Sequence, residues 1–330
     1  MENYKINLQL FAGNLNTNVT TADGLSAEMK TFYDMNLIDE ASAQLVHDQF
    51  GQKRPIPANG GKTIEFRKFG SLPKALTPLT EGVTPDGSSL TVEPITATVE
   101  QYGNYIVQSD VLELTAIDNT IVEATKILGK QAGLTLDTVV RDVLISNASA
   151  QYVNGKKRSS LEATDILTVK EIQKAVAFLR ANNAPTINGD YVGIIHPYAA
   201  YDLMRDPEWV EAHKYANPDN IYVGEIGKIA GVRFVQTSEA AILHGTGCPS
   251  GLGVFCTLVF GEGAYGVTEI TGGGLQTIVK QKGSAGTADP LDQRSSVGWK
   301  AMKTAKILVP NYMIRIESCG EFSNKITQAN

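Results

Sequence analysis

The stretch DPLDQRSSVGWK, residues 289–300, gathers enough charge and enough hydroxyl groups to suggest an active site. It contains two carboxylates, Asp289 and Asp292, a guanidinium, Arg294, and two serine hydroxyls. Nucleophilic catalysis requires a base within hydrogen-bond reach of the nucleophile, and no nucleophile–base pair is recognisable in this stretch. The elements that position these side chains therefore decide how the charges are interpreted.

The residues that follow the charges favour a β-strand. In SVGWKAMKTAKIL an apolar set recurs at every second position, a period typical of a strand with one buried face; its members are Val297, Trp299, Ala301, Ala305 and Ile307. A helix is the alternative, because three lysines, at 300, 303 and 306, are three residues apart. Gly298 and the following ILVP favour the strand. The charges then occupy a turn, where they are better placed to pair across a subunit boundary than to catalyse.

A second candidate is GEGAYG, residues 261–266, which matches the glycine spacing of dinucleotide-binding loops. Such a loop requires a helix directly after it, because the pyrophosphate binds at the helix N-terminus. The β-branched, glycine-interrupted VTEITGGGLQTIV follows instead. We therefore expect a turn between strands. A nucleotide-binding oxidoreductase, which would use Gly261, Gly263 and Gly266, is the alternative interpretation.

Histidine and cysteine form no recognisable metal or redox motif. The four histidines include no HxxxH or HxH pair, and the three cysteines include no CxxC pair. The odd number of cysteines also argues against a disulfide framework. We expect His196, at a strand end before Pro197, to be structural, and Cys256, within an apolar strand, to be buried and inert. The sequence thus predicts no catalytic residues, no metal site, no cofactor and no enzyme.

Composition limits the classes of function further. The chain has 330 residues, of which 42% are apolar and 19% charged, and its net charge is −6. This is the balance of a globular protein and not that of a strongly basic nucleic-acid binder. No apolar stretch has the length of a membrane helix, and MENYKINLQLFAG lacks the continuous apolar block of a signal peptide. We expect a protein that is made and kept in a cytoplasm.

Residues 51–110 predict a long β-hairpin. KTIEFRKF alternates with Ile64 and Phe66 on one face, and EPITATVEQY alternates with Ile95, Ala97 and Val99 on one face. About twenty residues rich in Gly, Pro and Thr connect them, and connections of that length are usually functional or disordered. Because an isolated two-stranded hairpin is marginal in water, we expect another part of the protein, or another copy, to cover the apolar face.

The rest of the chain predicts a mixture of helices and strands without an internal repeat. Polar residues 14–24 predict a tether, and residues 25–50 predict helices on an arm. Helical period from Asn119 to Asn147 predicts one long helix, in which glycines at 129 and 133 indicate close packing. A further helix begins at a predicted capping box, Thr168 with Glu171. Strands are expected at 191–195, 231–237, 253–260, 267–281, 295–308 and 311–317.

Several segments resemble tailed-phage major capsid proteins of the Hong Kong 97 type. NLQLFAGN is similar to the start of many capsid genes from phages of Gram-positive hosts. Further segments resemble the family grouped with the major capsid protein of the virus called N-four: FGQKRPIPANGGKTIEFRKF, LTEGVTP, ITATVEQYGNYIVQSDVLELTAID, EWVEAHKYA, GEIGKIAGVRFVQT and DPLDQRSSVGWKAMKTAKIL. The resemblance covers nearly the whole chain.

The resemblance implies an α+β, HK97-like capsid fold in four parts. These are an N-terminal arm at 1–50, an E-loop hairpin at 51–108, a P-domain with a long spine helix at 109–160 and 267–307, and a mixed α/β A-domain at 161–266 and 308–330. The implied function is that of a major capsid protein, which assembles into hexamers and pentamers and closes an icosahedral virion shell around double-stranded DNA. A non-viral encapsulin-type nanocompartment shell is the alternative with the same architecture.

The resemblance also implies partners. About fifty residues precede the hairpin, too few for a built-in scaffold, so we expect a separate scaffolding protein and a portal, with a decoration protein as a further partner. We expect packaged DNA on the inner face without sequence-specific binding, assembly in the bacterial host cytoplasm, and no contact with a membrane.

Contacts between subunits are expected at the hairpin and at the charged turn. The candidates are Ile64, Phe66, Lys74, Glu81, Ile95, Val99, Asp289, Asp292, Arg294 and Trp299. Some relatives cross-link subunits through a hairpin lysine and an asparagine, and Lys74 lies in the corresponding loop. Since no asparagine or glutamate partner is identifiable, that chemistry is not carried over to this chain.

Overall fold

The computed structural model describes residues 35, 37–41, 45–57, 61–69, 72, 74–79, 81–84, 87–115, 120–216, 227–268, 273–284 and 289–330. Most of the predicted N-terminal arm, with its tether, lies outside these residues. The helices are α1 (Asp110–Thr115), α2 (Thr120–Asn147), α3 (Val169–Ala181), α4 (Pro197–Met204) and α5 (Pro207–Ala216). None of these helices combines the length and the apolar character that a membrane span requires.

The strands form two larger sheets and one separate hairpin. They are β1 (Gln52–Lys53), β2 (Thr63–Phe69), β3 (Val92–Thr98), β4 (Glu100–Ser109), β5 (Ser149–Tyr152), β6 (Tyr191–Ile195), β7 (Lys228–Ile229), β8 (Val232–Gln236), β9 (Ile242–Leu243), β10 (Val254–Phe260), β11 (Tyr265–Thr268), β12 (Gln276–Lys280), β13 (Arg294–Ile307) and β14 (Met313–Ser318). β2 and β3 pair with each other in antiparallel register, as the alternation predicted.

The first sheet is built around β13 and packs against α2. Its order is β1-β11-β13-β12, and β4 pairs with β13 from Ser109 opposite Arg294 to Glu100 opposite Lys303. The predicted strand at 295–308 is therefore confirmed and the helical alternative is wrong. The alternation of apolar residues corresponds to one buried face of this strand, because Val297, Trp299 and Ala301 all pack in the core against α2.

Helix α2 buries one continuous stripe, as its period predicted. The buried residues step by four along the helix: Ala124, Leu128, Ala132, Leu136, Val140 and Leu144. Gly129 serves for close approach, since a Cβ there would lie 2.9 Å from the carbonyl oxygen of Leu37. The short helical segment at 37–41 can therefore lie directly on α2.

The second sheet has the order β5-β14-β10-β6-β8-β7, with β9 paired to β10. Every residue of β6, β10 and β14 is buried, because both faces of the sheet are covered. Residues of α3, α4 and α5 pack on one face, and the C-terminal half of α2 packs on the other, through Val140 and Leu144. Helix α2 thus joins the cores of both sheets.

The predicted capping box of α3 is wrong, although the helix itself is confirmed. The Thr168 side chain makes no capping hydrogen bond. Asp206 instead accepts a hydrogen bond from the Val169 amide at 2.9 Å. The Glu171 carboxylate is buried and accepts hydrogen bonds from Gln151 at 2.9 Å and from Lys174 at 2.6 Å. Tertiary partners therefore replace the local cap.

The division into four parts stays a prediction, but strand pairing adds detail at two of its boundaries. β4, which the prediction assigned to the hairpin segment up to residue 108, is hydrogen-bonded along its length to β13 of the first sheet. β5, which it assigned to the spine-helix segment, pairs with β14 in the second sheet. Both of these strand pairings join residues that are far apart in the chain.

Candidate interaction surfaces

The base of the hairpin, defined here as Ile64, Phe66, Ile95 and Ala97, is covered by its own chain. Phe66 is only 3% exposed and packs with Ala97 and Leu308. Ile64 and Ile95 are half-buried around this contact. Gly266 leaves room for the ring, because a Cβ there would lie 2.7 Å from Phe66 Cε1.

Phe66 is therefore covered by its own chain, which is one of the two outcomes that the alternation left open, and a further contact of this face with a neighbouring subunit stays a prediction. β13 runs on into Leu308 beneath the hairpin, and β11 contributes the glycine that accommodates the ring. Val99, just after β3, is also buried, and its amide donates to the Lys62 carbonyl at 2.9 Å. Leu308 and Gly266 lie 242 and 200 residues from Phe66 in the sequence, so the alternation of the hairpin could not reveal them.

The tip of the hairpin, defined here as the described residues between Leu72 and Leu90, is exposed. Leu76 and Leu79 are 81% and 78% exposed. Leu72, Val83 and Leu90 are exposed as well. The two predicted contact residues in this loop, Lys74 and Glu81, are also on the surface. The tip therefore presents apolar side chains that the described part of its own chain leaves uncovered.

The charged turn at 289–294 is held together within the subunit. Asp289 is buried, accepts a hydrogen bond from the Arg294 amide at 2.8 Å, and lies 3.6 Å from Arg294 Nε. Asp292 is exposed and has a positive φ of 51°. The Asp110 amide donates to the Gln293 carbonyl at 2.9 Å, which joins the turn to the start of α1. The carboxylate of Asp289 closes the turn, and an ion pair across a subunit boundary stays a prediction.

The two faces of the first sheet differ in exposure. Trp299 is only 3% exposed, on the face that packs against α2, and its Nε1 donates to Gln131 Oε1 at 3.4 Å. Its side chain is therefore part of the subunit core, contrary to its proposed place in a subunit contact. On the opposite face Tyr105 and Val107 are 68% and 51% exposed. Tyr105 lies opposite Gly298, beside a shallow cavity of about 360 Å³.

A buried polar cluster joins residues 47–48 to α2, β11 and β13. His47 Nδ1 lies 2.7 Å from Asp137 Oδ2, and the His47 amide donates to Asp137 Oδ1 at 2.7 Å. Asp48 forms an ion pair with Lys303 at 2.7 Å, and the Tyr265 hydroxyl donates to the His47 carbonyl. Burial holds the pKa of Tyr265 well above its usual range. The sequence carries a signal for the buried position of Lys303, because this lysine interrupts the otherwise apolar inward face of β13.

A second buried ion cluster ties β14 to the loop after β5. Glu317 is fully buried and accepts two hydrogen bonds from Arg158, each at 2.6 Å. Arg315 Nη2 lies 2.8 Å from the same carboxylate. The hydrogen bonds to Glu317 raise the pKa of Arg158. Removal of one partner from a buried ion pair is costly, so this cluster contributes to the integrity of the second sheet.

The residues singled out for chemistry have structural roles. GEGAYG runs from a turn into β11, and this strand occupies the place where dinucleotide binding needs a helix. His196 caps α4, where its Nδ1 accepts from the Tyr198 amide, and burial lowers its pKa to about 4. Burial raises the pKa of Cys256 to about 12. Within the described residues, no three His, Cys, Asp or Glu side chains are grouped to hold a metal ion.

Known structures share this architecture. The capsid of the cyanophage P-SCSP1u matches with a TM-score of 0.62 at 16% identity, over 84% of this chain and 89% of that chain. The capsid of Ralstonia phage GP4 matches with a TM-score of 0.63 at 14% identity, over 84% and 88%. A virus-like particle from Pyrococcus furiosus matches with a TM-score of 0.50 at 12% identity, over 88% and 99%. At these identities the matches establish the fold, which is HK97-like, as the resemblance implied.

The comparison of sequences assigns the family. No curated protein sequence matches the chain. The sequence profile of a family described as phage capsid protein, however, matches residues 92–315, which is well over half of the chain. The match includes β4, the whole of α2, most of the second sheet and all of β13. The chain therefore belongs to the phage capsid protein family.

Proposed function

We propose that this capsid protein is the major subunit of an icosahedral phage head and that it assembles as hexamers and pentamers around double-stranded DNA. The observation that carries the proposal is the contrast within the hairpin, whose base is packed on its own chain while Leu76 and Leu79 at its tip are exposed. A loop that holds several exposed apolar residues beyond a fixed base is suited to lie on a neighbouring subunit.

The energy of such a contact is sufficient when many copies act together. Full burial of one leucine side chain contributes roughly 1.5–3 kcal/mol. Association costs several kcal/mol in lost freedom, so one tip contact holds two subunits weakly. In a closed shell each subunit makes several contacts at once, and the later contacts form intramolecularly. Weak individual contacts then allow errors to be corrected while the shell closes.

The same proposal extends to partners and location. A separate scaffolding protein and a portal would direct closure, and a decoration protein would bind the finished outer surface. Packaged DNA would meet the inner face without sequence-specific contacts, and assembly would take place in the host cytoplasm before the protein becomes part of the virion. The subunit would act as a structural protein and not as an enzyme, with no contact with a membrane.

Electron microscopy of the purified chain, with its scaffold supplied, tests the proposal. Wild-type protein is expected to form shells, tubes or capsomers. Leu76→Asp combined with Leu79→Asp is expected to give a folded subunit that forms none, because the tip would carry two charges into an apolar contact. Leu76→Met combined with Leu79→Met, which keeps both exposed side chains apolar, serves as the matched control and should assemble. A wild-type protein that stays monomeric at high concentration would contradict the proposal.

An encapsulin-type nanocompartment is the second candidate, and it is favoured only by the match to the Pyrococcus furiosus particle, at a lower TM-score than the two phage capsids. The two candidates differ in the contents and vertices of the particle. A phage head has one portal vertex and encloses DNA, whereas a nanocompartment encloses protein cargo. Particles from infected cells that contained protein cargo and lacked both DNA and a portal would favour the nanocompartment.

A further inference from the structure

A partly open cavity of about 270 Å³ lies between β1 and the strands β11 and β13. Its lining residues include Asp48, Lys53, Arg54, Thr268 and Lys303. Since one water occupies ~30 Å³ in the liquid, the cavity has room for a small polyatomic ion together with ordered water. It lies apart from the exposed hairpin tip, so the assembly contact proposed above does not account for it.

The described lining of this cavity is positively charged. Asp48 is its one carboxylate, and it is already engaged by Lys303 at 2.7 Å and by Lys53 at 3.6 Å. The guanidinium of Arg54 forms no ion pair with any described residue, and its backbone amide donates to the Val267 carbonyl at 3.1 Å. Three cations therefore face one carboxylate, in a chain whose net charge is −6.

A buried hydroxyl is the second, independent feature of the site. Thr268 is only 2% exposed, and its Oγ1 has no hydrogen-bond partner among the described residues. Buried hydroxyls are almost always hydrogen-bonded, because an unsatisfied one loses its hydration without compensation. An acceptor oxygen inside the cavity would supply the missing partner.

We propose that this cavity binds a phosphate group. The fork of Arg54 and the ammonium of Lys53 would bind its oxygens by charge-assisted hydrogen bonds, and Thr268 would donate its hydroxyl to a further oxygen. Donors on three separate side chains suit a tetrahedral anion with several oxygens better than a planar carboxylate. Lys303 stays on Asp48 and holds that carboxylate away from the anion. The group comes from free phosphate or from the DNA backbone.

Binding at this site would strengthen the attachment of β1. That strand pairs with β11 through only two positions, Gln52 opposite Gly266 and Lys53 opposite Val267. An anion held by Lys53 and Arg54 on one side and by Thr268 on the other would link the two strands a second time. The inference concerns a ligand site and does not depend on the proposed assembly contact.

Calorimetric titration of the purified full-length chain with sodium phosphate tests the site, with sodium chloride and sodium acetate at matched ionic strength as comparisons. We expect saturable phosphate binding that weakens at least tenfold in Arg54→Gln and in Thr268→Val. Thr268→Ser, which keeps the hydroxyl, should bind like wild type, and circular dichroism should show all variants folded. Lys170→Gln, a change of an exposed lysine on α3, is the matched control and should leave binding unchanged. The absence of saturable binding, or equal binding of acetate, would overturn the proposal.

A second titration with a short DNA duplex distinguishes the two sources of phosphate. If Arg54→Gln and Thr268→Val weaken duplex binding and phosphate binding together, the site takes backbone phosphate. If duplex binding is absent or unchanged while phosphate binding is lost, the site takes the free ion. If Lys170→Gln weakens phosphate binding as much as Arg54→Gln, the effect reflects general charge and the proposed site is wrong.

Discussion

The base of the hairpin, in β2 and β3, and the tip, in the loop between these strands, bury their apolar side chains to very different extents. At the base, Phe66 is 3% exposed and lies against Leu308 and Gly266 of the same chain. At the tip, Leu76 is 81% exposed. Because an isolated hairpin is marginal in water, the base needs its own chain to fold at all. The tip is free to serve contacts that form only after folding.

This comparison separates two requirements on a self-assembling subunit. The subunit must fold before it meets a neighbour, which requires internal partners for the hairpin base. It must also keep a surface that is incomplete until a neighbour arrives, and large exposed apolar patches commonly mark such surfaces. Substitutions at the base should therefore change the stability of the subunit, whereas substitutions at the tip should change assembly.

The largest expected effect is that of Phe66→Asp at the base. The change removes a buried ring, and truncation of a buried phenylalanine alone costs about 3–5 kcal/mol; it also places a charge in an apolar site. We expect the free energy of unfolding to fall by at least that amount, measured by urea denaturation of unassembled subunits. Glu65→Gln, on the exposed face of the same strand, is the control. A stable Phe66→Asp subunit that fails only to assemble would return the base to the assembly surface.

A matched pair of leucine truncations sharpens the comparison. Leu308 is 8% exposed beneath the hairpin base, whereas Leu79 at the tip is 78% exposed. Leu308→Ala should lower the free energy of unfolding of the unassembled subunit by about 2–5 kcal/mol, and Leu79→Ala should change it by less than ~0.5 kcal/mol. Urea denaturation provides both values. Equal losses from the two substitutions would mean that the tip, too, is packed within the subunit.

The free energy of unfolding of the subunit should also depend on pH, through a buried carboxyl group that lies outside the hairpin tip. Burial raises the pKa of Asp202 from 3.8 to about 6, so the folded state binds the proton more tightly than the unfolded state. The stabilisation from this group is complete below pH 3.8 and is lost as the pH rises through about 6. We expect Asp202→Asn to be more stable than wild type at pH 7 and to lose that advantage at pH 4.

The variant must be compared with wild type, because the pKa of His196, at the N-cap of α4, is shifted in the opposite direction. Burial lowers the pKa of His196 from 6.5 to about 4, so its contribution is present above 6.5 and is lost as the pH falls through about 4. The two dependences partly cancel in the wild-type profile. Thermal unfolding of both proteins from pH 4 to pH 7 isolates Asp202, and an advantage of Asp202→Asn that grew toward acid pH would show the assigned direction to be wrong.

A small effect on the subunit is also expected for Arg294→Ala in the charged turn. Its guanidinium is largely exposed and lies 3.6 Å from Asp289, and exposed ion pairs contribute about 0–1 kcal/mol. The free energy of unfolding should therefore change by less than about 1 kcal/mol. The yield of particles tests the intersubunit ion pair, because a contact repeated in every subunit would lower the yield strongly. An unchanged yield would leave the turn as a purely internal structure.

Local periodicity was sufficient to predict the main elements of this protein. Alternation predicted β2, β3 and the long β13, and the helical period predicted α2 to within one residue of its start. The glycine loop at 261–266 was correctly predicted as a turn, because no helical pattern follows it. These predictions succeed because strand and helix periods are set by backbone geometry within a few residues. The quoted segments also led to the correct family and fold.

Only the tertiary structure decided which side chains meet. The cover of Phe66 comes from Leu308, the partner of His47 is Asp137, and the cap of α3 comes from Asp206. Each pair spans tens to hundreds of residues, and no period within a segment encodes such a distance. For the same reason, Trp299 was predicted to lie in a subunit contact, whereas its side chain lies in the subunit core. Composition and alternation establish that a face must be buried, but the partner that buries it depends on how the whole chain closes.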